Sequence, residues 1–228
     1  MRGATALLVA VTATVGLTAC GAGHPAAAPA TPPTKAASTA TPSSASSAPA
    51  PTPTSAAATP PPSPTPHDRP DPRWRFYTAD KAWHTSPWFA GAHRVMIGYG
   101  CNASPWYDHD SRCPGREGFH HGIDVAMPCG TPLLSAVRGV VVDPSSPGSP
   151  GSAYGVHPFR IRSGDRDILI GHTVHVFVHP GQQVRPGQRI ALAGDSGAPD
   201  GCHLHFEVRR AGGGLSTATD PAPLLALR

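Results

Sequence analysis

The chain predicts an all-β fold: an antiparallel β-sandwich or barrel-like sheet, in a single domain that follows a disordered Ala/Pro/Ser/Thr linker. Three features carry that expectation. The first is a shift of composition. Residues 21–71 are Ala, Pro, Ser and Thr with almost no charge and no large apolar side chain, whereas aromatic residues crowd in from Trp74 onward. The second is rhythm, because short runs rich in Val, Ile and Leu recur between Gly and Pro over residues 94–209. The third is alternation, as in Phe159-Arg160-Ile161-Arg162, which reads as a half-buried antiparallel strand.

Taken in order, residues 1–20 carry one early charge, Arg2, and then an apolar run from Ala4 to Ala19. The run is too short to span a bilayer comfortably and ends in small residues, as a secretory signal does. Its end, Leu17-Thr18-Ala19-Cys20, resembles a bacterial lipobox, in which Cys20 is lipidated and becomes the mature N-terminus. The alternative is an ordinary cleaved signal peptide with a chance cysteine. No other segment is apolar enough to span a membrane. Lipid on Cys20 would then be the only membrane anchor, at about 0.8 kcal/mol per buried CH₂. Residues 21–71 cannot bury enough surface to offset chain entropy and are expected to be disordered. In polyproline II they reach on the order of 150 Å at most. That length suits a tether through a thick layer such as a cell wall, and equally a passive spacer.

The folded domain is expected over 72–228. Trp74, Phe76, Tyr77, Trp83, Trp88 and Phe89 at its start show no clear period. Strands are expected over 94–99, 122–127, 131–142, 159–162, 167–172, 175–179, 188–193 and 203–209. Pro180-Gly181-Gln182 and Pro186-Gly187-Gln188 repeat a turn signal, and a short helix closes the chain over 221–227. The formal net charge of +4 is mild and not gathered into a stripe, so no nucleic-acid partner is expected. Such an excess would fit an anionic wall polymer but is as well explained by solvated surface. A monomer is expected.

Apart from Cys20 there are four cysteines, and an even count in an exported domain suggests two disulfides. Spacing favours Cys101–Cys113, which leaves Cys129 with Cys202. A cysteine metal site is the weaker alternative, since no Cys-x-x-Cys pair exists.

Two histidine clusters carry the chemistry: Phe119-His120-His121-Gly122-Ile123-Asp124 and His203-Leu204-His205-Phe206-Glu207-Val208. Read as strands, period-2 alternation puts His120 with Asp124 on one face and His203 with His205 on one face. Three imidazoles and a carboxylate on facing strands suit zinc. Leu204, Phe206 and Val208 then point into the core. His121 alternates away and reads as packing. His175 and His179 share a strand face but read as partly exposed, and His84, His93, His109 and His157 as surface or loop residues.

The first cluster resembles the His-x-Gly-x-Asp segment of M23-family (lysostaphin/LytM-type) zinc metallopeptidases. Gly130-Thr131-Pro132 with Gly139–Val142, then Gly181–Ile190 and Gly194-Asp195-Ser196-Gly197, resemble the following segments of that family in order, and His203–Val208 resembles its final His-x-His motif. The similarity covers about 93–225. It implies that His120, Asp124 and His205 bind Zn²⁺, that His203 is the general base, and that His172 helps stabilise the transition state. It departs where Ile170 replaces the tyrosine of a Tyr-x-His motif. The implied protein is an exported, lipid-anchored metalloendopeptidase that cuts peptides of peptidoglycan. Two rivals are a non-catalytic M23-like module that docks on the wall or activates a separate hydrolase, and a metal-binding lipoprotein. The 13 histidines are too scattered to favour the latter.

Overall fold

The computed structural model describes residues 70–228; the expected signal segment, Cys20 and almost all of the expected linker lie outside the described residues. Fourteen strands follow in order: β1 His84–Ser86, β2 Phe89–Ile97, β3 Gly100–Asn102, β4 Gly118–His120, β5 Gly122–Ala126, β6 Pro132–Leu134 and β7 Gly139–Val141. Then come β8 Phe159–Ser163, β9 Arg166–Gly171, β10 Thr173–Val176, β11 Gln183–Val184, β12 Arg189–Ala193, β13 His203–Arg210 and β14 Ala218–Thr219. One α-helix, α1 Ala222–Leu225, closes the chain.

Twelve strands form one antiparallel sheet in the order β10-β12-β6-β2-β5-β13-β9-β8-β7-β11, with β1 on β2 and β14 on β13; β3 and β4 form a separate pair. The all-β expectation therefore takes its barrel-like form, a single curled sheet rather than two stacked ones. Its apolar face gathers Trp88, Phe89, Val125, Leu133, Ile161, Ile168, Ile170, Ile190, Leu204 and Phe206 into one core. Trp88 meets Phe206 edge to face at 4.8 Å and donates its indole N–H to the Leu224 carbonyl at 2.9 Å, which docks α1.

Four expectations need correction. The run over 131–142 is two strands, because Ser135 is buried with its hydroxyl turned back onto the Val137 carbonyl at 2.8 Å. The run over 175–179 ends at Val176. His93 is buried in β2, its Nε2–H donated to the Ala90 carbonyl at 2.9 Å, rather than on the surface. And β8 is not half-solvated: Arg160 is buried and pairs with Asp167 at 3.1 Å, while donating to the Pro147 and Ser146 carbonyls. A buried guanidinium persists only when its donors are met, and each terminal nitrogen of Arg160 makes two bonds.

Among the described residues no helix is long and apolar enough to cross a membrane.

Candidate metal centre

The site forms at the centre of the sheet, where β13 lies between β5 and β9. His205 pairs directly with Asp124 on one side and with Gly171 on the other. The two clusters thus sit on neighbouring strands, not facing ones. Nor is the first cluster one strand: β4 and β5 belong to different sheets, and the chain bends at His121. His120 reaches the site from the small β3–β4 pair.

Three donor atoms converge. His120 Nε2 lies 3.2 Å from His205 Nδ1, which lies 2.9 Å from Asp124 Oδ1, and the third edge is 3.4 Å. A tetrahedral zinc held at about 2.0–2.1 Å by each donor spaces them roughly 3.3 Å apart, so the set fits. The rings are aimed for it. His120 donates its Nδ1–H to the Gly98 carbonyl at 3.0 Å, leaving Nε2 bare toward the centre. His205 donates its Nε2–H to Glu207 Oε2 at 3.1 Å, leaving Nδ1 for the centre. Gly122 is required by this packing, because a Cβ there would lie 2.7 Å from the His205 ring.

Electrostatics follow from the contacts. Burial would raise the Asp124 carboxyl, but His120, His203 and His205 outweigh it and hold it well below the usual range. Burial opposes charge on His205, yet Asp124 and Glu207 on its two nitrogens raise it to about 9. Burial likewise opposes the ionised form of Glu207, and His205 with Arg209 lowers it to about 2. Arg209 pairs with Glu207 and donates to the Tyr154 hydroxyl at 2.8 Å, which donates to Glu207 at 2.9 Å. No sequence motif assigns a role to Glu207, Arg209 or Tyr154. The signal for Glu207 was present, since it continues the alternation of His203 and His205.

His203 stands beside the triad without joining it. Its Nδ1–H is donated to the Gly201 carbonyl at 2.9 Å, and its Nε2 lies 3.6 Å from Asp124 Oδ1 with no partner. An unpartnered buried nitrogen aimed at the donor cluster marks a place for a further polar group. His172 occupies the kink between β9 and β10 at φ 57°, a strained backbone for a side chain of this kind. Its ring lies 4.5 Å from that of His203, and its Nδ1–H is donated to the Ser196 carbonyl at 2.8 Å. Burial, then the neighbouring His203 and His205, lowers it to about 3, so it is neutral. Ile170 lies in the core opposite Phe206, so position 170 faces away from the site. The phenols near the donors come instead from Tyr107, whose hydroxyl is 3.4 Å from Asp124 Oδ2, and from Tyr154.

The remaining histidines lie elsewhere. His121 Nε2 accepts from Arg112 at 3.2 Å, while His175 and His179 are exposed and separated by the end of β10. Cys101 with Cys113, and Cys129 with Cys202, lie at disulfide distance, with Cα separations of 5.4 and 5.2 Å. Asp195 also lies within donor range of the second pair.

Residues 118–220 match the family model described as Peptidase family M23. The chain is 39% identical over 95 residues to the peptidoglycan DD-endopeptidase ShyA of Vibrio cholerae, covering 39% of this chain and 20% of that protein. It is 33% identical over 126 residues to a lipoprotein NlpD/LppB homolog of Pseudomonas aeruginosa, covering 54% and 41%. The chain thus spans less than half the length of these relatives. Among solved structures, the catalytic domain of the antimicrobial peptidase lysostaphin from Staphylococcus simulans aligns at 27% identity with a TM-score of 0.46, over 58% of this chain and 92% of that one.

Proposed function

We propose that the folded unit containing residues 118–220, the segment that matches peptidase family M23, is a zinc-dependent metalloendopeptidase acting on peptide bonds of peptidoglycan. The observation that carries this reading is His203 Nε2, buried and unpartnered beside the converging donors of His120, Asp124 and His205. A structural histidine would be expected to spend both nitrogens. The substrate class is drawn from the relatives named as peptidoglycan endopeptidases.

When bound by His120, Asp124 and His205, zinc would supply Lewis-acid polarisation of the scissile carbonyl and acidify water. The protein's part is proton handling and exclusion of solvent. His203 Nε2 takes the proton of the attacking water and returns one to the leaving amine. His172, with Nδ1–H committed to Ser196, also presents a bare Nε2. It stabilises an oxyanion as a hydrogen-bond donor only in its protonated form, so the neutral ring serves first as an acceptor. All five side chains are less than a tenth exposed, with the rings of Tyr107 against His120 and Tyr154 against His205.

The test is incubation of the full chain with peptidoglycan, with and without chelator, and mass spectrometry of the released fragments. Zinc-dependent new amines are expected. His203→Ala should keep zinc and lose cleavage by 10²-fold or more. Intact crosslinks after incubation with the zinc-loaded chain would sink the enzyme reading.

We further propose export and lipid anchoring through Cys20, a reading consistent with the relative named as a lipoprotein. Membrane fractionation should find the protein with the membrane and Cys20→Ala released from it. Equal membrane association of the two would remove the anchor.

A further inference from the structure

Both histidines that stand beside the donor triad depend on one loop, 194–202. Its Ser196 carbonyl accepts the Nδ1–H of His172 at 2.8 Å, and its Gly201 carbonyl accepts the Nδ1–H of His203 at 2.9 Å. A carbonyl can only accept, so each bond places the neutral ring's single proton on Nδ1 and leaves Nε2 bare. An imidazole without such a partner distributes its proton over both nitrogens, and an Nε2–H ring cannot take a proton at Nε2.

The loop is held from outside by residues upstream of the family-matched segment. At one end Arg73 donates to Asp195 Oδ2 at 2.8 Å. At the other, the Cys202 N–H donates to Asp71 Oδ2 at 3.2 Å, and the Trp74 indole donates to the Cys202 carbonyl at 2.6 Å. The Asp71 carboxylate also fills the space beside Gly201, whose φ is +95° and whose Cβ, if present, would lie 2.7 Å from it. Arg73 locks that carboxylate with its backbone N–H at 2.9 Å and its guanidinium at 3.0 and 2.7 Å. The three residues therefore grip the backbone unit that lies between Gly201 and His203.

We propose that Asp71, Arg73 and Trp74 are positioning residues: a strap that fixes the 194–202 loop so that His203 and His172 keep their protons on Nδ1 and turn bare Nε2 atoms to the site. The strap rests on the peptidase reading for its purpose but not for its geometry. It makes the functional unit begin at Asp71, one residue before the expected domain start at 72 and well before residue 118.

The test is ring-nitrogen NMR of the full chain, with and without zinc, for wild type, Asp71→Ala, Asp71→Asn and Trp74→Phe, beside kcat and KM on crosslinked muropeptides. Wild type should show His203 and His172 as Nδ1–H tautomers. Trp74→Phe, which keeps the ring and removes one donor, and Asp71→Ala should give mixed tautomers at His203. Both should lower kcat about tenfold, the scale of outer-shell losses, with KM and zinc affinity unchanged. Asp71→Asn retains an acceptor for Cys202 and should restore most of the tautomer signal. If Asp71→Ala does not fold, Trp74→Phe decides alone. Wild-type tautomers and kcat in Trp74→Phe would overturn the strap. Absence of cleavage by wild type would overturn the peptidase reading instead, and the spectra would still decide the strap.

Discussion

At His205 the two ring nitrogens face two carboxylates, Asp124 and Glu207, and this is what turns an ordinary β-strand histidine into a directed donor. Glu207 accepts the hydrogen bond of the Nε2–H and so leaves Nδ1 facing the centre. Gly122 keeps open the space that the ring occupies. Two substitutions should therefore act on metal affinity without touching a donor atom. Glu207→Gln should weaken zinc binding by 10–100-fold, the range for such supporting partners. Gly122→Ala should weaken it at least as much, because the methyl group meets the ring and the Phe206 carbonyl rather than a flexible chain end. Zinc titration against a competing chelator reads both; wild-type affinity in either would show that the ring is not held this way. The alternation of His203, His205 and Glu207 was legible in the sequence because a β-strand has period 2. The convergence of His120 was not, since it depends on a bend at His121 and on a second small sheet.

At the scale of elements, β13 carries chemistry on one face and core on the other. β8 and β9 show how far alternation alone can mislead. Arg160 and Arg162 read as a solvated face, yet the stretch 143–147 folds over Arg160 and supplies its carbonyl acceptors. Asp167 closes the arrangement, bonded to both arginines and to the Gly212 N–H. Burial opposes its charge, but the Arg162 hydrogen bond, Gly212 and Arg160 together hold its carboxyl below the ordinary value. A carboxyl lowered by folding stabilises the protein above its unfolded value, about 3.9, and loses that contribution as pH falls through the folded one. Asp167→Asn should therefore flatten the acid limb of the stability curve. It should also cost about 3–5 kcal/mol at neutral pH, because it leaves Arg160 buried without its charge partner. Urea midpoints measured from pH 7 to pH 2 check both; parallel curves for the two proteins would refute the assignment.

At the scale of the molecule, the curled sheet brings residues distant in sequence to one point, and two cysteine pairs at disulfide distance lie beside two of the joins. Cys129 lies past the end of β5 and Cys202 precedes β13, so a disulfide between them would tie the strands that carry Asp124 and His205. The chain it would close is long, and such a crosslink would contribute about 4 kcal/mol in the chain-entropy model. Peptide mapping without reduction should find Cys101–Cys113 and Cys129–Cys202, and replacing Cys129 and Cys202 by serine should lower the melting temperature more than replacing the other pair. A Cys101–Cys129 peptide would overturn the pairing.

The sequence by itself determined the all-β class, the residue types of the site, the shared face of His203 and His205, and the resemblance to M23 peptidases. These follow from local period, composition and motif order, which need no partner strand. Only the tertiary structure decided that the sheet is single and curled, that His120 arrives from a separate hairpin, that position 170 faces the core, and that a strap at Asp71–Trp74 braces the loop before His203. Each of these depends on which strands pair and which backbone groups meet across the fold, and no local pattern encodes such contacts.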